Sequence, residues 1–388
     1  MTRTNRVSLF LALLALAGAV GLDGVRIQPN RIVAGTGYSV LEALGASGLM
    51  AVCLPLGLIA GLALRPNRAR SAAMLLLVMA LLLAVPWALG SAISGLIAPG
   101  QTAARAAVAG GTWLLVFALV LMLVDLRQRL RMGAGASALL WMAPLASLAI
   151  ALARGWLDQL ALVREYLGRQ AAFFDAVIDH LVLVGVAVGA SLVIAVALAL
   201  WMRRVPRVRQ GTLGVLSFIQ TIPSLALFGL LLAPLAWLAA RYPLLGALGI
   251  QGIGLAPALL ALVGYSLLPM TRNTYIALES VDDAVIESAR GMGMGSLQVF
   301  FQVRLPLALP LLIEGVRITA VQAIGLAAVA ALIGAGGLGT FIFQGLGQAA
   351  MNLVMLGALP IVIMAMLVDA LLKGLAGALR RGDTHDRA

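Results

Sequence analysis

Few side chains in this 388-residue chain could carry covalent chemistry. It holds two His, one Cys and a single Lys, Lys373. One Cys excludes a disulfide framework and a multi-Cys metal site. His180 follows Asp179 with no second His or Cys nearby, so it reads as a residue at the outer mouth of a span, not as a metal ligand. The sequence has no G-x-x-x-x-G-K-[ST] phosphate loop. Gly334-Ala335-Gly336-Gly337-Leu338-Gly339 contains G-x-G-x-x-G, but a dinucleotide site needs a preceding strand and here an apolar helix precedes. These glycines instead suit close packing or a bend at a helix end, as at a gate. Glu314 and Arg317, three apart, can pair on one helix face. Asp369 can pair with Lys373 one turn on. The expectation is a chain without catalytic residues, metal or cofactor.

The segment with the strongest pattern is Thr271–Pro306, TRNTYIALESVDDAVIESARGMGMGSLQVFFQVRLP, too polar for a membrane interior. Ser280-Val281-Asp282-Asp283 has the form of a helix N-terminal cap, with acids at the positive end of the dipole. A helix over Ala284–Ala289 would then be broken by Gly291, Gly293 and Gly295. Ser296 can cap a second short helix carrying Val299, Phe300 and Phe301, and the chain turns apolar again at Leu305-Pro306. A helix, glycine turn and helix with exposed Met292, Met294 and Phe side chains suits docking into another protein's groove.

The elements that hold this segment are apolar. The chain is 62% hydrophobic and 11% charged, with mean hydropathy +1.05. An ordinary soluble domain is about a quarter charged, so a soluble enzyme is excluded, and so is disorder. Roughly 240 apolar residues suffice for about ten spans of ~20. Uninterrupted runs place them at 7–22, 40–64, 72–97, 106–125, 136–153, 181–202, 211–238, 252–271, 307–333 and 351–372. Lipid permits only helices or a closed barrel. Runs such as Leu181–Leu200 lack the alternation of barrel strands, so the fold class is an all-α polytopic membrane protein. The polar stretch 154–180 separates two halves and reads as an interfacial segment. No internal repeat links the halves.

The net charge of +12 could signal nucleic acid, but its distribution fits topology better. Seven of the 27 basic residues (Arg26, Arg31, Arg105, Arg154, Arg164, Arg169 and Arg241) fall at one set of span ends, and the other 20 at the opposite set. The richer side is cytoplasmic by the positive-inside rule, which places both termini and the Thr271–Pro306 loop inside. No nucleic-acid partner is expected, since no basic patch interleaved with aromatics exists. Ala15-Leu16-Ala17 has the look of a cleavage site; retention of the first span as an anchor is the expectation. Glu42 and Asp125 lie at span ends, where they can snorkel to water. Gly185 and Gly189 form a GxxxG pair suited to helix packing. An ion-coupled secondary transporter would need midplane carboxylates or broken helices. A membrane-embedded enzyme would need a cluster of acids or His. Neither pattern stands out.

The loop resembles the EAA loop of binding-protein-dependent ABC importer permeases. The matching residues are Glu287, Ser288 and Ala289, then Gly293, then Val303, Leu305 and Pro306, with Ser288 for Ala and Val303 for Ile. Gly291 lies within the same turn. Three further stretches are similar to glycine betaine, choline and osmoprotectant permeases: Phe218–Leu227 (FIQTIPSLAL), Tyr265–Pro269 with Arg272–Tyr275, and Ala331–Gly339. The resemblance implies a five-span type I permease domain over 181–375, preceded by an N-terminal membrane region over 1–153, the 154–180 segment on the periplasmic side, and a tail over 376–388. It implies an inner-membrane location, two copies of an ATPase subunit docking on the loop, a periplasmic solute-binding protein and a second permease subunit. The implied activity is ATP-driven import of a compatible solute by alternating access. A permease for another small solute, such as an amino acid, is the alternative. The five N-terminal spans stay without an assigned role.

Overall fold

The structure is a computed structural model and describes residues 4–385 except 32, 99, 102 and 248. The chain forms two compact units, Met1–Gly168 and Arg169–Ala388.

The first unit contains helices α1 (Arg6–Gly21), α2 (Val40–Ala63), α3 (Arg68–Leu96), α4 (Gly110–Arg129), α5 (Ala134–Ala153) and the short α6 (Ala161–Leu167). Its core joins Leu11, Ala12 and Ala15 of α1 to Leu56, Ile59 and Ala63 of α2, Met74 and Val78 of α3, and Leu119, Met122 and Leu126 of α4. Alanines recur along these seams because lipid offers no hydrophobic drive between helices, so close backbone approach must supply the attraction.

Three short strands depart from the all-helical expectation: β1 (Asp23–Gln28), β2 (Thr36–Ser39) and β3 (Arg105–Val108). They form an antiparallel sheet in the order β2-β1-β3. The sheet covers the end of the unit where α1 and α3 finish and α2 and α4 start. Val25, Ile27 and Ala106 pack beneath it on Ala92, Ile93 and Ile97. Residues 106–108, expected to open the fourth span, belong to β3. Glu165 of α6 is buried between Arg105 at 2.7 Å and Arg31 at 3.0 Å, which ties α6 to the strand and its neighbouring loop. Asp125 is likewise fastened, not snorkelling: Asn5, Ser8 and Arg129 all donate to it, at 2.9, 3.1 and 2.8 Å. Glu42 closes a capping box with Ser39.

The second unit contains α7 (Gln170–Arg204), α8 (Pro206–Thr221), α9 (Ser224–Arg241), α10 (Pro243–Ala247), α11 (Leu255–Glu279), α12 (Asp283–Gly291), α13 (Ser296–Gln298), α14 (Leu305–Ala330), α15 (Gly339–Gly347) and α16 (Met351–His385). The expected boundary at 180/181 falls inside α7, whose 35 residues span about 52 Å at 1.5 Å per residue. Its buried seam is Ala187, Ser191, Ala195 and Ala199, four apart, against α11 and α14. Gly185 and Gly189 are exposed instead, so this seam, not the GxxxG pair, is what packs within the unit. The expected span 211–238 is two helices, because Ile222-Pro223 breaks it.

Nine helices among the described residues are long and apolar enough to cross a membrane, and α1, at 16 residues, is shorter than these.

Candidate functional site

The segment between α11 and α14 is a rigid elbow. Ser280 does not cap α12: its hydroxyl donates back to Ala277 O at 2.8 Å as α11 ends. Asp282 is the cap, accepting from Ala284 N at 2.9 Å. The helix closes with Met294 N donating to Ala289 O and Gly293 N to Arg290 O, at 3.2 and 2.9 Å. This is the Schellman arrangement, which puts Gly293 at the left-handed position, and its φ is +87°. Gly291 is still helical and Gly295, at φ −68°, caps α13 in place of Ser296. Of the three glycines, Gly293 alone needs to be one for its backbone. After α13 the chain continues through one π-helical turn, Val299–Arg304, directly into α14.

Packing fixes the elbow at its base. Ile286, Ala289 and Val299 are buried with Ala199 of α7, Leu278 of α11, and Ala308 and Leu312 of α14. Arg203 of α7 pairs with Glu279 at the end of α11, and the Arg209 guanidinium lies 4.7 Å over the Tyr275 ring. At the tip, Met292, Leu297 and Phe301 are 78%, 74% and 60% exposed. Glu287, Ser288 and Gly291 are also exposed, with the Ser288 hydroxyl donating to Ala284 O at 2.8 Å. Ala289 is buried, Leu305 is half-buried and Pro306 is exposed at the start of α14. The elbow thus presents an apolar tip on a fixed base.

Two stretches singled out in the sequence meet at the broken helix. Pro269 has no N–H, so the Tyr265 carbonyl of α11 lacks its intrahelical donor. Gln220 Nε2 donates to that carbonyl at 2.7 Å. The Tyr265 hydroxyl in turn donates to the Ile222 carbonyl at the break between α8 and α9. Pro269 leaves the Tyr265 carbonyl open and the helix break leaves the Ile222 carbonyl open, and a side chain from the other helix fills each. The motif stretches could be read from sequence, but this pairing could not, because the residues lie 45 apart.

At the opposite end of α14, Gly334, Gly336 and Gly337 all have positive φ. A Cβ on Gly337 would lie 3.1 Å from His180 Nδ1, and one on Gly339 only 1.9 Å from Ala328 O. His180 is fully buried within α7, not at its mouth, and its Nε2 lies 3.1 Å from Ile324 O of α14. The carbonyl requires the proton on Nε2, and Nδ1 has no partner among the described residues.

Glu314 and Arg317 pair at 2.8 Å. The same guanidinium also reaches Asp369 of α16, which was expected to pair with Lys373. A carboxylate 52 residues away escapes a reading limited to helix neighbours. Among the described residues no group of three or more His, Cys, Asp or Glu could hold a metal.

Five long apolar helices around a small helical elbow make the second unit a polytopic membrane domain. The chain belongs to the family described as the binding-protein-dependent transport system inner membrane component, which matches residues 187–382. Residues 4–163 match the ABC transporter permease YehY, N-terminal domain. It is therefore a multi-pass permease component of an ABC importer. The chain is similar to the osmoprotectant import permease protein OsmW of Salmonella typhimurium, 40% identical over 50% of this chain and 85% of that protein. It is also similar to the carnitine transport permease protein OpuCB of Listeria monocytogenes, 39% identical over 49% and 80%. The glycine betaine/carnitine/choline transport system permease protein OpuCB of Bacillus subtilis is 35% identical over 50% and 82%.

Proposed function

We propose that this chain forms the membrane pathway of an ATP-driven importer for a small quaternary-ammonium osmoprotectant, of the glycine betaine, carnitine or choline type. The observation that carries the reading is the 35–40% identity to permeases named for those solutes. The chain performs no covalent chemistry; ATP is hydrolysed by a partner. Two permease subunits, identical or homologous, and two ATPase subunits make up the assembly, with a periplasmic binding protein for capture. In this reading 1–153 is the N-terminal membrane region, 154–180 its periplasmic junction, 181–375 the transport domain and 376–388 a tail.

The elbow around Glu287–Gly293 docks on the ATPase, and both termini face the cytoplasm. Support comes from the exposed Met292, Leu297 and Phe301 above a buried base, and from the charge bias of the loops. Closure of the ATPases on ATP favours the outward state, because only differential binding shifts an equilibrium. Gly334, Gly336, Gly337 and Gly339 shape the outer gate, and Glu314 with Arg317 borders the inner vestibule.

The reading is tested with the reconstituted complex. ATP should drive uptake of radiolabelled glycine betaine, carnitine or choline with ion gradients collapsed. Uptake driven by a sodium or proton gradient alone would sink the importer reading. ATP-driven uptake of another solute only would sink the solute class. For orientation, Leu297→Cys in a Cys53→Ser background should react with an impermeant maleimide from the cytoplasmic side. Reaction from the periplasmic side would overturn the docking role.

A further inference from the structure

Helix α2 is held by Val40 at one end and by Leu56, Ile59 and Ala63 at the other, with no buried residue from Leu41 to Pro55. Gly45 interrupts this stretch at φ 70°, ψ −175°, and Pro55 ends it. Between it, α3 and α4, beneath β1, lies an apolar cavity of about 240 Å³. Leu44, Gly48 and Val52 of α2, Ala84 and Ala88 of α3, and Leu115 of α4 line it. The small side chains on both walls are what leave the hollow.

Its chemistry excludes most occupants. A buried water needs two to four polar partners. The wall offers the Ser91 hydroxyl and that of Thr112, which already donates to Gly24 O at 2.8 Å. The wall carries neither a carboxylate nor an aromatic ring for a quaternary ammonium. The volume is below the ~300 Å³ at which sites for drug-sized ligands begin. Left empty, the wall would lose its dispersion contacts. Ala51 and Ala84, both exposed, border the cavity, so it opens sideways between α2 and α3. Leu41, Met50 and Leu54 of α2 are exposed and apolar, on a helix long and apolar enough to span a membrane. We propose that this hollow takes a segment of one acyl tail of a membrane phospholipid, the rest of the chain and the headgroup staying outside. The tail is the one linear apolar group that the surrounding bilayer supplies at that depth, and it completes the packing of α2.

The full chain is reconstituted in phosphatidylethanolamine/phosphatidylglycerol vesicles doped with a phospholipid carrying a mid-chain diazirine. After irradiation, adducts should concentrate in 43–52 and 81–92 over the exposed flank at 54–58. Ala88→Phe, which fills the hollow, should cut those adducts about ten-fold, equivalent to ~1.4 kcal/mol. Ala84→Leu should act likewise, and Leu76→Phe on an exposed face should change nothing. Even labelling, or labelling indifferent to both filling variants, overturns the proposal. Native mass spectrometry of the wild-type chain, which needs no variant, should find one phospholipid retained through delipidating detergent. Retention of none also overturns it.

Discussion

The Gln220 side chain donates to the Tyr265 carbonyl at 2.7 Å, the acceptor that Pro269 leaves open one turn further along α11. The Tyr265 hydroxyl returns the favour at Ile222, where the second span of the transport unit breaks. An unpaired carbonyl in lipid costs several kcal/mol, so Pro269 is tolerable because Gln220 is there, and the helix break at Ile222 because the Tyr265 hydroxyl is.

This reciprocity makes an additivity prediction. Gln220→Leu should destabilise the purified chain by about 1–3 kcal/mol, the cost of an orphaned buried acceptor. In a Pro269→Ala background the new alanine supplies the missing N–H, and Gln220→Leu should then cost less than about 1 kcal/mol. Thermal unfolding of the four proteins in one detergent measures the cycle. Equal costs in both backgrounds would show that Gln220 does not compensate for Pro269.

The elbow glycines should separate by substitution. Gly291→Ala adds a methyl in open space at a helical φ and should be neutral. Gly293→Val also meets nothing within 4 Å, but its φ of +87° should cost about 1–2 kcal/mol in a side-chain-bearing residue. In the assembled importer the ratio of ATP hydrolysed to solute imported should rise for Gly293→Val and stay at the wild-type value for Gly291→Ala. Identical ratios for the two variants would remove the conformational argument.

Glu165 is 6% exposed between two arginines. Removing Glu165 leaves two partly exposed arginines side by side without their shared acceptor, a loss of about 1–3 kcal/mol. Glu165→Ala should therefore expose the Arg105 strand to limited proteolysis near 100–108 while leaving the second unit resistant. Fragment mapping over a protease time course would read this, and an unchanged pattern would count against the clamp.

Arg317 neutralises two acids from different helices. Arg317→Gln should lower the melting temperature more than Asp369→Asn does, since the first leaves Glu314 and Asp369 charged and unpaired while the second leaves one pair intact. The combined Arg317→Gln, Glu314→Gln, Asp369→Asn chain should recover part of the loss. Differential scanning fluorimetry of the three variants ranks them; the reverse order would mean that the charges are independently solvated.

Much of this architecture was legible in the sequence because membrane spans announce themselves through length and apolarity, as α3 and α7 do. The elbow was legible because Glu287, Gly293 and Pro306 stand at the spacing of the EAA loop that the segment resembles. The sheet escaped notice because strands of four to six residues, such as Arg105–Val108, merge with the apolar run that follows. Asp369 was matched with Lys373 because sequence displays neighbours at one helical turn, whereas its partner, Arg317, comes from another helix. His180 was placed at a wet rim because polarity suggests exposure; the Ile324 carbonyl and the glycine loop that bury it lie about 150 residues on.

The unbroken run from Ser296 to Ile333 has a mechanical consequence. Its 38 residues make one continuous helical run, with Leu297 and Phe301 at one end and the seat of His180 toward the other. The π turn at Val299–Arg304 and Pro310 lie near the first end, and a tilt of ~5° of the regular helix beyond them displaces its far tip by about 3 Å. On the proposed docking of the elbow, a motion at its tip would reach the opposite end of α14 as a tilt of that rod.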